Sequence, residues 1–269
     1  MAGTRQNRSG FRALFRHRQL CWELVRRDLT DRHAGQILGP VWMFAQPIVL
    51  IALHLFVFAV VLPARGLGGS SDLSYVVLVL AGLIPWLAIQ DSLLRGVTSV
   101  ATNANLVKQV VFPVELLPIK GVFVALVPSA AMTGLLLLCL AGTGYPVPWT
   151  IVLLPGVWAV QIAGTLGLCL GLSAVGAYVR DVRELIQLFG LVNLYLMPVF
   201  FPPEALPAAV RFIPYANPFS HVVWCHQDVW SGRLGHPASW VVFPVAAGLA
   251  LLAGWRVFRA ARPHFGNVL

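Results

Sequence analysis

Six long apolar stretches, residues 41–62, 75–94, 121–141, 151–178, 185–201 and 240–258, constrain this chain of 269 residues more than any other feature. Most approach the roughly 20 apolar residues that an α-helix needs to cross the ~30 Å hydrocarbon layer of a bilayer. The basic residues are divided unevenly between the connections. Segments 1–40, 95–120, 179–184 and 256–269 hold sixteen of the nineteen Lys and Arg, whereas the alternate connections hold only Arg65, Arg211 and Arg233. Short basic loops stay in the cytoplasm. The pattern therefore predicts an all-α membrane protein with six transmembrane helices and both termini inside. It also predicts a cytoplasmic N-terminal segment over 1–40, a transmembrane domain over 41–258 and a cytoplasmic tail over 259–269.

Composition narrows the function classes. Charged residues make up 11% of the chain, against ~25% in a soluble domain, and the mean hydropathy is +0.78. The net charge of +9 belongs to loops that face an anionic inner leaflet, so no nucleic-acid partner is expected. Cys21, Cys139, Cys169 and Cys225 form no CxxC pair, and no intrachain disulfide framework is expected. There is no GxxxxGK[ST] loop, and the only lysines are Lys108 and Lys120. ATP hydrolysis by this chain is therefore not expected. The ionisable residues inside spans are His54 and Asp91, and Asp91 has Arg95 one turn later. No acid or histidine relay crosses the bilayer, which argues against an ion-coupled carrier. The ten acids are scattered, which argues against a membrane-embedded glycosyl or acyl transferase. His221, Cys225, His226 and Asp228 have a helical spacing that suits a metal, but no second motif joins them and no metal is expected.

Three segments carry finer signals. Residues 1–20 are Arg-rich, as in a transit peptide, but Glu23, Asp28 and Asp31 follow and no short apolar core precedes a cleavage site. An amphipathic helix over 11–29 is the better reading. Phe11, Leu14, Phe15, Cys21, Trp22, Val25 and Leu29 share one face, with Arg12, Arg16, Arg26 and Arg27 off it. Such a helix lies in the membrane interface. Leu20 and Leu24, with Ala13, form a second, narrow strip on the opposite side, which is either scatter in the pattern or a surface that docks another protein. Next, Asn103 is an N-cap candidate and Pro113 a stop signal for a two-turn helix carrying Leu106, Val107, Val110 and Val111. That helix either packs against the end of the bundle or serves as a rigid peg that a cytoplasmic motor pushes on. Finally, the connection 202–239 holds Pro202, Pro203, Pro207, Pro214 and Pro218 among many apolar residues. Non-helical backbone at membrane depth needs cover from protein or a water-filled cavity, so re-entrant half-helices are expected over 200–213 and 217–230, with an ordinary packed external hairpin as the alternative. Phe44, Phe58, Trp86, Phe189, Tyr195 and Phe200 are candidate aromatics for a substrate pathway. Their ordinary alternative is lipid contact or an interfacial belt.

Arg26-Arg-Asp-Leu-Thr-Asp-Arg32, Ile37-Leu-Gly-Pro-Val-Trp42 and Gln46-Pro47 resemble the entry to the first span of type-2 ABC exporter permeases. The nearest subgroup moves polysaccharides or polyol phosphates such as O-antigen, capsule and teichoic acid. Asn103–Pro118 is similar to that family's coupling helix and the proline-bounded stretch after it. Arg180-Asp181, and Pro202–Pro218 ending in Asn217-Pro218, also match. His33-Ala-Gly-Gln36 departs from the family's usual aromatic. The resemblance implies one of two identical permease subunits in a bacterial inner membrane, working with two separate nucleotide-binding ATPase subunits. ATP and Mg belong to those partners, and this chain carries no cofactor. Asn103, Asn105, Leu106, Val107, Lys108, Val110 and Val111, with Leu20 and Leu24, would meet the ATPase. Pro202, Pro203, Asn217 and Pro218 would belong to an outer gate over 200–230. The implied cargo is a lipid-linked, O-antigen-like polysaccharide. A teichoic acid or capsule is the runner-up, and small hydrophobic drugs are a rival within the family.

Overall fold

The computed structural model describes residues 17–31, 39–42, 72–109, 113–144 and 147–268, and a few positions between 45 and 57. The expected first span, with Phe44, His54 and Phe58, and the positions Val110 and Val111 lie largely or wholly outside the described residues. Among the described residues the secondary structure is helical throughout. In chain order the helices are α1 (Arg18–Asp31), α2 (Asp72–Thr98), α3 (Ala104–Gln109), α4 (Leu116–Thr143), α5 (Leu154–Gly176), α6 (Val182–Leu196), α7 (Phe212–Ala216), α8 (Pro218–Ser231), α9 (Ser239–Ala261) and α10 (Phe265–Val268).

Among the described residues, four stretches are long and apolar enough to cross a membrane: 74–98, 116–143, 149–176 and 239–264. At 1.5 Å per residue, the 27 residues of α2 reach about 40 Å, enough to cross the hydrocarbon layer. Pro85, Pro128 and Pro244 sit inside α2, α4 and α9. Such prolines are tolerated in membrane helices because neighbouring groups satisfy the freed backbone.

The stretch expected as span five differs. Its helix, α6, has only 15 residues, because Met197 turns to extended backbone (φ −93°, ψ 153°) ahead of Pro198. Proline disfavours the α region in the residue before it. The helix therefore stops five residues short of the expected boundary at 201, and α6 alone is about 22 Å long.

α2 is the central post. Val76, Val79, Leu80, Leu83, Ile84, Trp86, Ile89 and Leu93 are all buried, as expected of a helix that is apolar all round. It packs against α4, α5, α6 and α8. Among the described residues the most extensive helix contact is that of α5 with α9. A Cβ added at Gly167 would overlap the backbone of Ala250, and one added at Gly254 would overlap the Gly167 carbonyl. Small residues let membrane helices approach to backbone contact, where van der Waals packing holds them. Polar rivets cross the bundle as well. Gln161 Nε2 donates to the Pro85 carbonyl (3.1 Å), and its Oε1 faces His226 Nε2 (2.8 Å). Thr150 Oγ1 donates to the Val229 carbonyl (2.6 Å).

Candidate functional site

The packing sorts the connections into two ends of the bundle. At one end Val100, Val114, Leu117, Leu170, Ala174, Phe258 and Phe265 form a single apolar cluster. It joins the C-terminal ends of α2, α5 and α9 to the start of α4. At the other end, the start of α2 meets the chain after α6: Tyr75 Oη donates to the Phe200 carbonyl, and Gln227 Nε2 donates to the Leu78 carbonyl (3.3 Å).

α3 lies at the first end. Asn103 does not cap it. Asn103 Nδ2 donates back to the Ser99 carbonyl (2.8 Å), Thr102 Oγ1 donates to the Thr98 carbonyl (2.9 Å), and Ala104 is already helical. The last carbonyls of α2 are thus satisfied from downstream, and the chain runs through a tight 3₁₀ turn into α3 without a break. Val107 is half-buried against the Phe258–Phe265 cluster, whereas Asn105, Leu106 and Lys108 face outward. Leu106 is 38% exposed. So α3 both packs on the bundle and presents a face that is exposed among the described residues.

Two sets of ion pairs brace this end. Arg262, just beyond α9, donates through Nη1 to Oε1 of Glu115, which is almost fully buried. Asp28 of α1 sits 3.8 Å from both Arg95 Nη1 and Lys120 Nζ, and Arg95 Nε donates to Asp91 Oδ2 at 3.0 Å. α1 rests on the start of α4: Cys21 and Val25 are buried with Leu116, Ile119 and Val124, and Leu20, Leu24 and Leu29 are half-buried around them. The Leu20–Leu24 strip is therefore partly covered by the chain itself, while Trp22 remains 66% exposed. The brace formed by Phe258, Arg262 and Phe265 was not foreseen. Its signal was the seven-residue spacing of the two phenylalanines, which puts them on one helical face.

At the opposite end the expected half-helices differ in form. Residues 200–213 contain only a 3₁₀ turn at Pro203–Ala205 and the start of α7, whereas 218–231 form the full 14-residue helix α8. Asn217 caps α8: its Oδ1 accepts from the Phe219 N–H (3.0 Å), and its Nδ2 donates to Asn193 Oδ1 (2.7 Å). Pro218 takes the first helical position, where no N–H is needed. Pro203 is buried and Pro202 exposed.

Among the candidate pathway aromatics, Trp86 and Phe189 are packed with Phe219 in an edge-to-face trio, with centroids 5.4–6.2 Å apart. Trp86 is thus a core residue within one chain. Tyr195 is 62% exposed and lies 6.2 Å from the half-buried Phe200.

His221, Cys225, His226 and Asp228 point to separate partners. His221 Nε2 donates to the Tyr215 carbonyl (3.2 Å), leaving Nδ1 facing Ser239 Oγ (2.9 Å). Asp228 receives the His236 N–H (3.1 Å), His236 Nδ1 (2.9 Å) and Trp240 Nε1 (3.0 Å). Burial pushes the Asp228 carboxyl up, but the hydrogen bonds from His236 and Trp240 outweigh it and hold the group below its ordinary value. His236 in turn stacks on Trp224, with centroids 5.0 Å apart and planes 11° from parallel.

Residues 19–225 match the ABC-2 type transporter family, and the chain belongs to it. It is a multi-pass membrane subunit of an ABC transporter, with ATP hydrolysis carried by a separate subunit. The chain is 24% identical over 259 residues to the O-antigen export system permease protein RfbA of Myxococcus xanthus, covering 95% of this chain and 97% of that one. Two Klebsiella pneumoniae proteins of the same name are 22% and 20% identical, each over 91% of this chain and 93% of their own length.

Proposed function

We propose that this chain is the membrane-spanning half of an ATP-driven exporter that carries a lipid-linked, O-antigen-like polysaccharide across a bacterial inner membrane. The observation that carries the reading is likeness over more than nine-tenths of the chain to three proteins named as O-antigen export permeases. Two copies form the permease, and each works with one nucleotide-binding subunit that holds ATP and Mg. The exposed apolar face of α6, with Leu185, Leu188, Leu191 and Tyr195, suits a second copy. Six crossings with both termini cytoplasmic place α1, α3 and α10 inside, in keeping with the concentration of Arg and Lys at that end. Asn105, Leu106 and Lys108 then meet the ATPase, and Val107 seats α3 on the bundle from behind. Closure of the ATPase dimer moves each bundle as a body. Residues 200–230 form the outer gate. Two measurements test this: deletion of the gene with blotting for surface polysaccharide, and gentle purification of the tagged chain. Loss of surface glycan and an ATPase at one copy per permease are expected. Normal glycan display without the gene would refute the cargo, and an active preparation lacking any ATPase would refute the motor.

A further inference from the structure

A cavity opens at the α8 end of the bundle. It measures about 330 Å³ and lies between the start of α2, the Pro198–Glu204 turn and the end of α8. That size falls within the roughly 300–1,000 Å³ range of small-molecule sites. Its walls are held rigidly. Gln227 spends both amide hydrogens on backbone, donating to the Leu78 (3.3 Å) and Pro198 (3.2 Å) carbonyls. Its Oε1 has no partner among the described residues and remains an acceptor. Asp228 is fixed by His236 and Trp240, and the His236 ring is fixed by stacking on Trp224. Tyr75 contributes a ring whose hydroxyl is already committed to the Phe200 carbonyl. At the rim stand two exposed side chains of opposite sign, Glu204 and Arg233.

The ligand class follows from this inventory. Tyr75 and His236 both line the cavity with ring atoms. Gln227 and Glu204 accept hydrogen bonds, and Arg233 donates several. Two carboxylates beside one guanidinium disfavour an anion such as phosphate, and the apolar walls disfavour a simple cation. A pyranose has an apolar C–H face and a girdle of hydroxyls that both donate and accept, and it answers each of these features. The geometry points to a sugar-binding subsite that holds one or two residues of the emerging glycan at the outer gate. This rests on the glycan-export reading above. Holding the leading residues there discourages the chain from sliding back between ATP cycles.

The test uses the full permease with its ATPase in nanodiscs. The probe is an oligosaccharide of a few residues, released by mild acid from the surface glycan of the strain that carries this gene. Saturation-transfer NMR and titration measure contact and affinity. Wild type should bind the probe, and the Glu204→Ala/Arg233→Ala pair should weaken binding about tenfold or more through lost charge-assisted hydrogen bonds. Both residues are exposed, so the fold should survive, as an unchanged melting temperature would verify. Tyr75→Phe keeps the ring and should bind the probe nearly as well as wild type. Equal affinity in wild type and the double variant would overturn the subsite. Displacement of the probe by inorganic phosphate would also overturn it, pointing to a lipid headgroup. A gene deletion that leaves surface glycan intact would instead remove the export reading, and the subsite with it. Loss of glycan in the deletion strain alongside unchanged binding in the double variant would sink the subsite alone.

Discussion

The two ends of this bundle solve opposite problems with different chemistry. The α3 end is braced by charges: Arg262 on Glu115, and Asp28 between Arg95 and Lys120. The α8 end is locked by directional bonds among uncharged or singly charged groups, with Asp228 gathering three donors and the histidines set against Gln161, Ser239 and Trp224. The first arrangement supports a short helix from behind while leaving one side open. The second fixes a cavity wall in three dimensions. On the proposed reading, the first end backs the face that the ATPase pushes, and the second fixes the atoms that hold a sugar.

Breaking what the two ends share should give the largest effect. Gly254→Val drives a side chain into the Gly167 backbone and should cost about 3 kcal/mol or more, read as a collapse of the detergent melting temperature and loss of both ends together. Next comes a contrast within α3. Leu106→Asp lies on the outward face and should abolish glycan export while shifting stability by less than about 0.5 kcal/mol. Val107→Asp should also abolish export but lose about 2 kcal/mol, because its charge enters the Phe258–Phe265 cluster. If export survives Leu106→Asp, α3 does not face the motor. Smaller again, Arg262→Ala leaves Glu115 buried without its partner and should cost about 1–2 kcal/mol. Adding Glu115→Gln should recover part of that loss in thermal melts.

The α8 end supplies the smallest and most specific effect. The folded pKa of Asp228 lies below its unfolded value, so its stabilising contribution is fully present above about pH 4. As pH falls further, the unfolded chain binds the proton first, and the contribution is lost as pH passes through the lower folded value. A melting curve against pH should therefore dip in that acid range, and Asp228→Asn should flatten the dip. An unchanged dip in the variant would assign it to other carboxylates.

Much of this architecture was legible from apolar length alone. α2, α4, α5 and α9 fall within or around the expected spans, because a membrane helix announces itself by 20 or more apolar residues. The fifth stretch misled by five residues, since hydropathy continues through Met197-Pro198 although the backbone does not. Asn103 misled for a related reason: a residue type that caps helices also bonds backward to the previous turn, and only the surrounding chain decides which. Trp86 could not be sorted between pathway and core, because both fates ask for the same apolar helix face. The Glu115–Arg262 pair joins positions 147 apart, beyond the reach of any local pattern. The cavity at Gln227 was invisible for the same cause, as its walls come from three distant segments.

The bare contact between α5 and α9 has a mechanical meaning. With Gly167 against Ala250 and Gly254, no layer of side chains separates the two backbones, so there is nothing compliant to shear and no groove along which one rod can creep past the other. The pair behaves as a strut. One end of that strut, at Phe258, carries Val107 of α3, and the other end, at Trp240, holds Asp228.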